Sequence, residues 1–380
     1  MIEKSYKYRL YPNKDQQTLL EKHFGATRWI FNYGLEKKIK TYQKTKKNLS
    51  CFQIMNELPK LKKKRKTEWL KEINAQSLQM ALRQLDNAYT AFFKKQNRFP
   101  NFKSKKGKNS FSIPQGNKIN FEKGIASFIK IGKIKIIIDR TFKDKIIKAT
   151  ISKNQINQYF VSYCVKTELK LPIPKTIKEK TTIGIDMGLK DFVVMSDGTK
   201  ITNPKYLNES EQRLKVLQRR LSKKVKGSQN RKKARFKLAK LYNKISNQRS
   251  YFLHNLTYQL THEKQVNSIA IENLNVKGMM KNHCLAKSIS DTSWGEFVRQ
   301  LTYKAKWYGK NLLIIGRFEP SSKMCSNCGC INQELKLSDR NWTCKECKTK
   351  HDRDINAAIN IKKFALSPSL RRVEPVELPH

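Results

Sequence analysis

The chain has 380 residues, enough for two or three domains with cores of their own, and 38% of them are hydrophobic. Lys and Arg number 80 against 30 Asp and Glu, a formal charge of +50 that strains a compact fold by self-repulsion unless a polyanion offsets it. No apolar run of 18 residues is available for a membrane-spanning helix and no solenoid repeat is present. The charge is spread along the chain instead of gathered on one amphipathic helix, so nucleic acid is the expected partner.

Residues 5–11 alternate Tyr6, Tyr8 and Leu10 with Lys7 and Arg9, the period of a half-buried strand. Pro12 ends it. Asn13 with Gln16 then forms a capping-box pattern for a helix whose Leu20, Phe24, Phe31 and Leu35 fall near one face. Trp29 and Tyr33 on that helix are core residues or base-stacking rings. Residues 60–66 hold six basic side chains in seven positions, Lys62, Lys63, Lys64 and Arg65 among them. They read as a solvated loop or, in so basic a chain, as a phosphate-binding run. Leu78, Leu82, Leu85, Tyr89 and Phe92 recur at helical spacing and predict a second helix over 75–95. Pro100 breaks the pattern, and residues 98–106 interleave Phe99 and Phe102 with Arg98, Lys103, Lys105 and Lys106, rings for bases and cations for phosphates. From 125 the period falls to two, through Ile129, Ile131, Ile134, Ile136 and Ile138 and later Tyr159, Val161, Tyr163 and Val165. That pattern predicts antiparallel strands in a small barrel or sheet. Residues 168–180, with Pro172, Pro174 and little to bury, read as a linker.

Residues 181–188 form an apolar strand that closes on Asp186, and a second strand over 192–195 turns back through Asp197 and Gly198. Asp186 alone is compatible with a strand-end turn, and the same Asp-x-Gly before a hairpin occurs in actin-like ATPases and sugar kinases. Between Gln212 and His262 stand fifteen Lys or Arg and no acid. A solvated helix gains from opposite charges four residues apart; with none here, the stretch holding Arg231, Lys232, Lys233 and Arg235 is expected to meet phosphates. Gly227 and Ser228 divide it into two helices, the second with an apolar stripe of Leu238, Leu241, Ile245, Phe252 and Leu256. Residues 268–272 make another apolar strand ended by a carboxylate, Glu272. A helix over 295–309 and a buried strand over 312–315 follow.

Cys325-x-x-Cys328 and Cys344-x-x-Cys347, fifteen residues apart, match the two knuckles of a zinc ribbon, with Asn327, Gly329 and Lys348 suited to the turns. The other reading is four unrelated buried cysteines, and Cys330 is a competing ligand by position. With no signal peptide, the eight cysteines are expected as thiols of a cytoplasmic protein and not as disulfides. A closed four-sulfur site is structural, so chemistry is sought elsewhere. Asp186, Glu272 and Asp354 each sit at the edge of an apolar element, and one mixed sheet could bring them together. Three such acids repel one another unless hard divalent cations, Mg²⁺ or Mn²⁺, lie between them. Two of these ions can hold the attacking and leaving oxygens of a phosphodiester displacement. No Walker-type glycine loop appears, which argues against a nucleotide motor.

The order Gly184-Ile185-Asp186-Met187-Gly188, Ile269-Ala270-Ile271-Glu272-Asn273-Leu274, two Cys-x-x-Cys knuckles and His351-Asp352-Arg353-Asp354-Ile355-Asn356-Ala357-Ala358 resembles the TnpB family. These are transposon-encoded, RNA-guided DNA endonucleases related to the compact type V CRISPR effectors. Residues 6–12 and 98–106 extend the likeness over nearly the whole chain. The resemblance implies an α/β multidomain protein with a RuvC-like nuclease of RNase H fold over 181–319 and 350–366 and a zinc ribbon inserted at 320–349. It also implies a wedge β-barrel from 1–12 and 110–170, interrupted by a helical recognition domain over 13–109, a linker at 171–180 and a flexible tail over 367–380. Asp186, Glu272 and Asp354 take the metal-binding catalytic places, with Asp352 the lesser candidate beside Asp354; the four cysteines take the zinc. A guide RNA from the transposon end would pair with one strand of double-stranded DNA while the protein reads a short flanking motif and cuts with Mg²⁺ or Mn²⁺. The setting implied is a prokaryotic cytoplasm, at the nucleoid when bound to DNA, with one copy or two on the RNA left open. An RNA-guided regulator that binds without cutting and a DNA-joining transposase stand as alternatives.

Overall fold

Alternation at a period of two gives the N-terminal part of the chain a sheet, and 3.6-residue periodicity gives it a helical insert. The computed structural model describes residues 2–168, 170–336 and 338–367 and the backbone of Arg371–Arg372, and the chain divides into two units, Met1–Lys170 and Leu171–His380.

In the first unit β1 (Ile2–Tyr11) buries Tyr8 and Leu10 and leaves Lys7 outside. Helix α1 (Lys14–Thr45) starts after Pro12, its first turn closed by the expected capping box, with Asn13–Gln16 bonds of 3.0 and 2.8 Å. Short helices α2 (Cys51–Met55) and α3 (Leu58–Lys63) and a 3₁₀ turn over Arg65–Glu72 lead to α4 (Ala75–Phe93). Residues 60–66 lie in helical turns, which removes the solvated-loop alternative and leaves the phosphate-binding reading untested: Pro59 opens α3, and Leu58, Leu61 and Leu70 anchor it among Ile30, Ile54, Leu78 and Leu82. Six more strands follow, β2 (Asn109–Ile113), β3 (Asn117–Asn120), β4 (Ile125–Phe128), β5 (Gly132–Ile137), β6 (Lys145–Lys153) and β7 (Tyr159–Thr167). They form one antiparallel sheet with β1, in the order β2-β6-β7-β1-β5-β4-β3. Among the described residues its two end strands do not pair, so hydrogen bonding does not close it, yet Tyr8, Phe111, Phe128, Ile134, Ile151 and Val161 share a single core. Ile129 and Ile131 were expected within a strand; they flank the turn between β4 and β5, where Lys130 takes a left-handed φ of 69°.

The second unit is a mixed sheet covered on both faces. Its elements are β8 (Thr182–Asp186), β9 (Asp191–Met195), β10 (Lys200–Thr202), α5 (Tyr206–Glu209), α6 (Glu211–Ser222), α7 (Gln229–Tyr258), β11 (Ser268–Glu272), α8 (Val276–Met279), α9 (Ala286–Thr292), α10 (Trp294–Trp307) and β12 (Asn311–Ile315). Then come the hairpin of β13 (Asn341–Thr343) and β14 (Lys350–Asp352), helix α11 (Arg353–Leu366) and β15 (Arg371–Arg372). The sheet order is β10-β9-β8-β11-β12-β15; β8, β11 and β12 run parallel and the outer strands antiparallel. Because side chains alternate, Ile183, Ile185, Ile269 and Ile271 face α7 and α10, where they meet Leu256, Phe297 and Leu301. Ala270, Leu313 and Ile315 face the other way, onto Ile361, Phe364 and Ala365 of α11. Gly184 lies on that second face, and a Cβ there would come within 2.0 Å of the Ala358 carbonyl, so α11 rides directly on β8. The apolar stripe of α7 serves two places: Leu241 and Ile245 pair with Leu214 of α6, while Leu253 and Leu256 join the sheet core. Within the stretch expected as a loose tail, β15 pairs with β12; residues 368–370 and 373–380 of that tail lie outside the described residues. Among the described residues no helix is long and apolar enough to cross a membrane.

Candidate functional site

Parallel register puts Ile185 of β8 opposite Ile271 of β11, so Asp186 and Glu272 follow as neighbours at the C-terminal ends of adjacent strands. By alternation from Gly184 and Ala270 both carboxylates point to the face that α11 covers, and Asp354 stands in the first turn of that helix. The three expected acids are thus brought to one sheet edge. Burial, together with the negative charges of Glu272 and Asp354, pushes the Asp186 carboxyl up to about 8, against the opposing pull of Arg353 and a hydrogen bond from the Met187 backbone. Burial also raises Glu272, while a hydrogen bond from the Ser321 hydroxyl pulls the other way. Asp354 receives Arg340 at 3.3 Å.

Asp352 is occupied differently. Its Oδ1 accepts the Asp354 and Ile355 backbone N–H groups, each at 3.1 Å, which caps α11, and its Oδ2 takes Lys200 at 2.6 Å. One acid of the pair builds the helix start; the other is presented by it.

The cysteines form a tighter group. All four sulfurs, from Cys325, Cys328, Cys344 and Cys347, lie within 4.8 Å of one another, the one such set of three or more metal-type ligands among the described residues. The two knuckles repeat one construction: Gly329 N–H donates to the Cys325 carbonyl at 2.9 Å and Lys348 N–H to that of Cys344 at 3.1 Å. Both turn residues are left-handed, at φ 80° and 57°. The Cys347 thiol is held below its ordinary pKa by the Thr349 hydroxyl and backbone. Four convergent thiols are the donor set of a structural zinc site. Cys330 packs against this cluster but is not one of the converging four. The buried ring of His351 reaches Cys325 Sγ at 3.0 Å and lies 4.7 Å from Trp342. Asn356 and Asn360 of α11, both buried, hold the first knuckle: Asn356 accepts from Ser326 N–H at 2.8 Å, and both amides donate to the Met324 carbonyl, at 2.8 and 2.6 Å. The ribbon is therefore fastened to the helix that carries Asp354.

Sequence reasoning did not single out Ser321, Arg340 or the two asparagines. The asparagines stood in the open beside the His-Asp-Arg-Asp run, where polar residues at buried helical positions are the available signal; Ser321 and Arg340 carried none.

The expected phosphate contacts divide. Lys63, Lys64, Arg65, Lys105, Lys232, Lys233 and Arg235 are exposed. Arg231 instead donates to the Leu221 and Lys224 carbonyls at 2.9 and 2.6 Å, closing the C-terminal end of α6. Lys103 is exposed too, with its ammonium over the Phe31 ring at 3.8 Å, where partial desolvation lowers its pKa. Burial, and repulsion from Lys130, lower that of Lys62.

Three family models match this chain: one described as a helix-turn-helix domain over residues 1–47, one as a probable transposase over 162–283, and one as a Cas12f1-like TNB domain over 294–361. The first name does not describe the fold here, where those residues are β1 and the unbroken α1. A Streptomyces pristinaespiralis protein named "Putative RNA-guided DNA endonuclease" is 36% identical over 97% of this chain and 90% of its own length. Its Escherichia coli K12 counterpart InsQ, of the same name, is 29% identical over 94% and 91%. A Cas12f1 chain solved with sgRNA and target DNA superposes at a TM-score of 0.58 over 97% of this chain and 99% of that one, a likeness of fold at 13% identity. On the breadth of the sequence match, this chain belongs to the TnpB family.

Proposed function

We propose that the protein is an RNA-guided, divalent-metal-dependent endonuclease that cuts double-stranded DNA beside a short flanking motif, with Asp186, Glu272 and Asp354 as its catalytic acids. The observation that carries this reading is the edge formed by the three carboxylates, where burial first, and then the charges of Glu272 and Asp354, disfavour ionisation of Asp186 unless a cation offsets them. Ionised carboxylates of this kind are the hard oxygen donors that Mg²⁺ or Mn²⁺ takes, the cation displacing the proton. Bound there, such ions supply an activated water and stabilise the charge that develops on the leaving oxygen. The chain's own groups prepare the place: Ser321 orients Glu272, Arg340 steadies Asp354, and the small Gly184 and Ala358 let α11 bring Asp354 against the sheet. Zinc on Cys325, Cys328, Cys344 and Cys347 would keep the ribbon folded and, through Asn356 and Asn360, keep α11 in position.

In this reading residues 181–319 and 350–366 are a RuvC-like nuclease, 320–349 its zinc ribbon, 1–12 and 110–170 a wedge domain and 13–109 a recognition domain. The guide RNA derives from the transposon end, and pairing with it supplies sequence specificity while the basic surfaces hold backbone. The intact acids favour cutting over binding alone. The test is to purify the protein from cells expressing its locus, sequence the RNA that accompanies it, and replace that RNA's variable segment. Cleavage that moves to the newly matched plasmid site supports the proposal; cleavage indifferent to the RNA, or strand-transfer products, would refute it.

A further inference from the structure

Four thiolates bring more negative charge than one Zn²⁺ offsets, so the sulfurs of such a site call for hydrogen-bond donors around them. The two more accessible sulfurs have theirs close by in the chain. The Thr349 hydroxyl stands 3.2 Å from Cys347 Sγ, and the Cys330 backbone N–H donates to Cys328. Cys325 and Cys344 are each 1% exposed, which leaves water no surface from which to supply a donor. Of these two, Cys325 meets an imidazole: His351 Nε2 lies 3.0 Å from its sulfur.

That ring is fixed in place. Strands β13 and β14 set Trp342 directly across from His351, and the two rings lie 4.7 Å apart at 37°. His351 is itself buried and is followed at once by Asp352, whose carboxylate caps α11. A buried imidazole on a ligand sulfur thus ties the thiol cluster to the residue that starts the helix bearing Asp354. The contact is separate from the Asn356 and Asn360 bonds, which hold the knuckle backbone and not a sulfur.

We infer that His351 is a positioning residue of the zinc centre, its Nε2–H donating to the Cys325 thiolate. A metal-bound thiolate offers only lone pairs, so the imidazole is the donor and Nδ1 is its bare nitrogen. The bond draws charge from the one sulfur, steadies it as a ligand, and fixes β14 so that α11 begins where it does. This role rests on the four cysteines holding zinc.

The experiment uses the full-length chain, first counting its zinc. His351→Phe keeps a ring against Trp342 and loses the donor; His351→Gln loses the ring and keeps an amide N–H near the place of Nε2. Zinc affinity is measured by competition with a chromophoric chelator, and thiolate-to-metal charge-transfer bands are recorded with Co²⁺ in place of zinc. His351→Phe should weaken zinc binding about 10–100-fold, while His351→Gln stays within about threefold of the unaltered chain. The charge-transfer bands should move to lower energy in His351→Phe only. In the unaltered zinc-loaded protein, ¹⁵N-histidine spectra should show the hydrogen on Nε2 of His351, a readout that needs no variant to fold. A bare Nε2 would overturn the inference. So would His351→Phe matching the unaltered chain in affinity and bands, which would reduce His351 to packing, or His351→Gln failing as fully as His351→Phe in a folded chain. An unaltered protein that holds no zinc would refute the four-thiol zinc reading and this role with it, a result distinct from equal zinc binding in all three forms, which overturns the role alone.

Discussion

The four thiols and the three carboxylates of the C-terminal unit are both sets of metal-type donors, and they are assembled in opposite ways. Each thiol pair is positioned by a local turn, the same carbonyl-to-amide bond closing on Gly329 and on Lys348, so the sulfurs converge to within 4.8 Å. The carboxylates come from β8, β11 and α11, elements distant in sequence, and meet only because parallel register and a glycine contact align them. Their oxygens are not drawn together as the sulfurs are; proton retention at Asp186, Arg340 on Asp354 and Ser321 on Glu272 take up the repulsion. A locally built site tolerates changes elsewhere in the fold, whereas one built from long-range packing inherits every weakness of that packing.

The strongest way to break this contrast is to remove the local site and watch the distant one. Chelation of zinc, or Cys344→Ser, should unfold the ribbon, since structural zinc contributes on the order of 10–16 kcal/mol in isolated fingers. Because Asn356 and Asn360 tie the first knuckle to α11, cleavage should fall to background. Metal content, circular dichroism and cleavage measured together check this; full activity after complete zinc loss would show the two sites to be independent.

A smaller effect is expected from Gly184→Ala, which sets a methyl group against the Ala358 carbonyl and the Lys362 backbone nitrogen. Overpacking of this kind costs about 1–3 kcal/mol, and here it also lifts Asp354 away from Asp186. Thermal unfolding should show the loss of stability, and activity should drop by more than the unfolded fraction accounts for. Proportional losses would mean that the close approach serves stability alone.

A further effect is expected on pH dependence without divalent ions. Asp186 binds its proton more tightly in the folded chain than in the unfolded one, where a carboxyl titrates near 3.8. The native state therefore holds the extra proton between that value and about 8, and stability falls as pH rises through this window. Melting temperatures across the range should decline in the wild-type protein and flatten in Asp186→Asn. An equal decline in both would assign the dependence to other groups.

The contrast also explains what was legible in the sequence. Cys-x-x-Cys spacing specifies a knuckle by itself, and a carboxylate closing an apolar run specifies a strand end, so Cys325 through Cys347, Asp186 and Glu272 could be read directly. Asp354 is marked out by its place at the edge of an apolar element and the resemblance ranks Asp352 below it; the physical difference, that Asp352 caps α11 and pairs with Lys200, is visible only in three dimensions. Strand β6 escaped notice because a bulge between Ile146 and Lys148 breaks its alternation, and β3 because it is four residues long and mostly polar. Ile129 and Ile131 misled because periodicity cannot reveal a left-handed Lys130 between them. Ser321 and Arg340 belong to no local pattern; their partners lie across the fold.

The most direct test is to compare Asp186→Ala, Glu272→Ala, Asp354→Ala and Asp352→Ala in one programmed cleavage assay with target binding measured alongside. The expected result is that the first three bind the target and leave it uncut. Asp352→Ala, having lost a helix cap worth about 0.5–2 kcal/mol, should still cut. Cleavage surviving the loss of Asp186, Glu272 or Asp354 would contradict the account, as would Asp352→Ala behaving like them in a protein that remains folded.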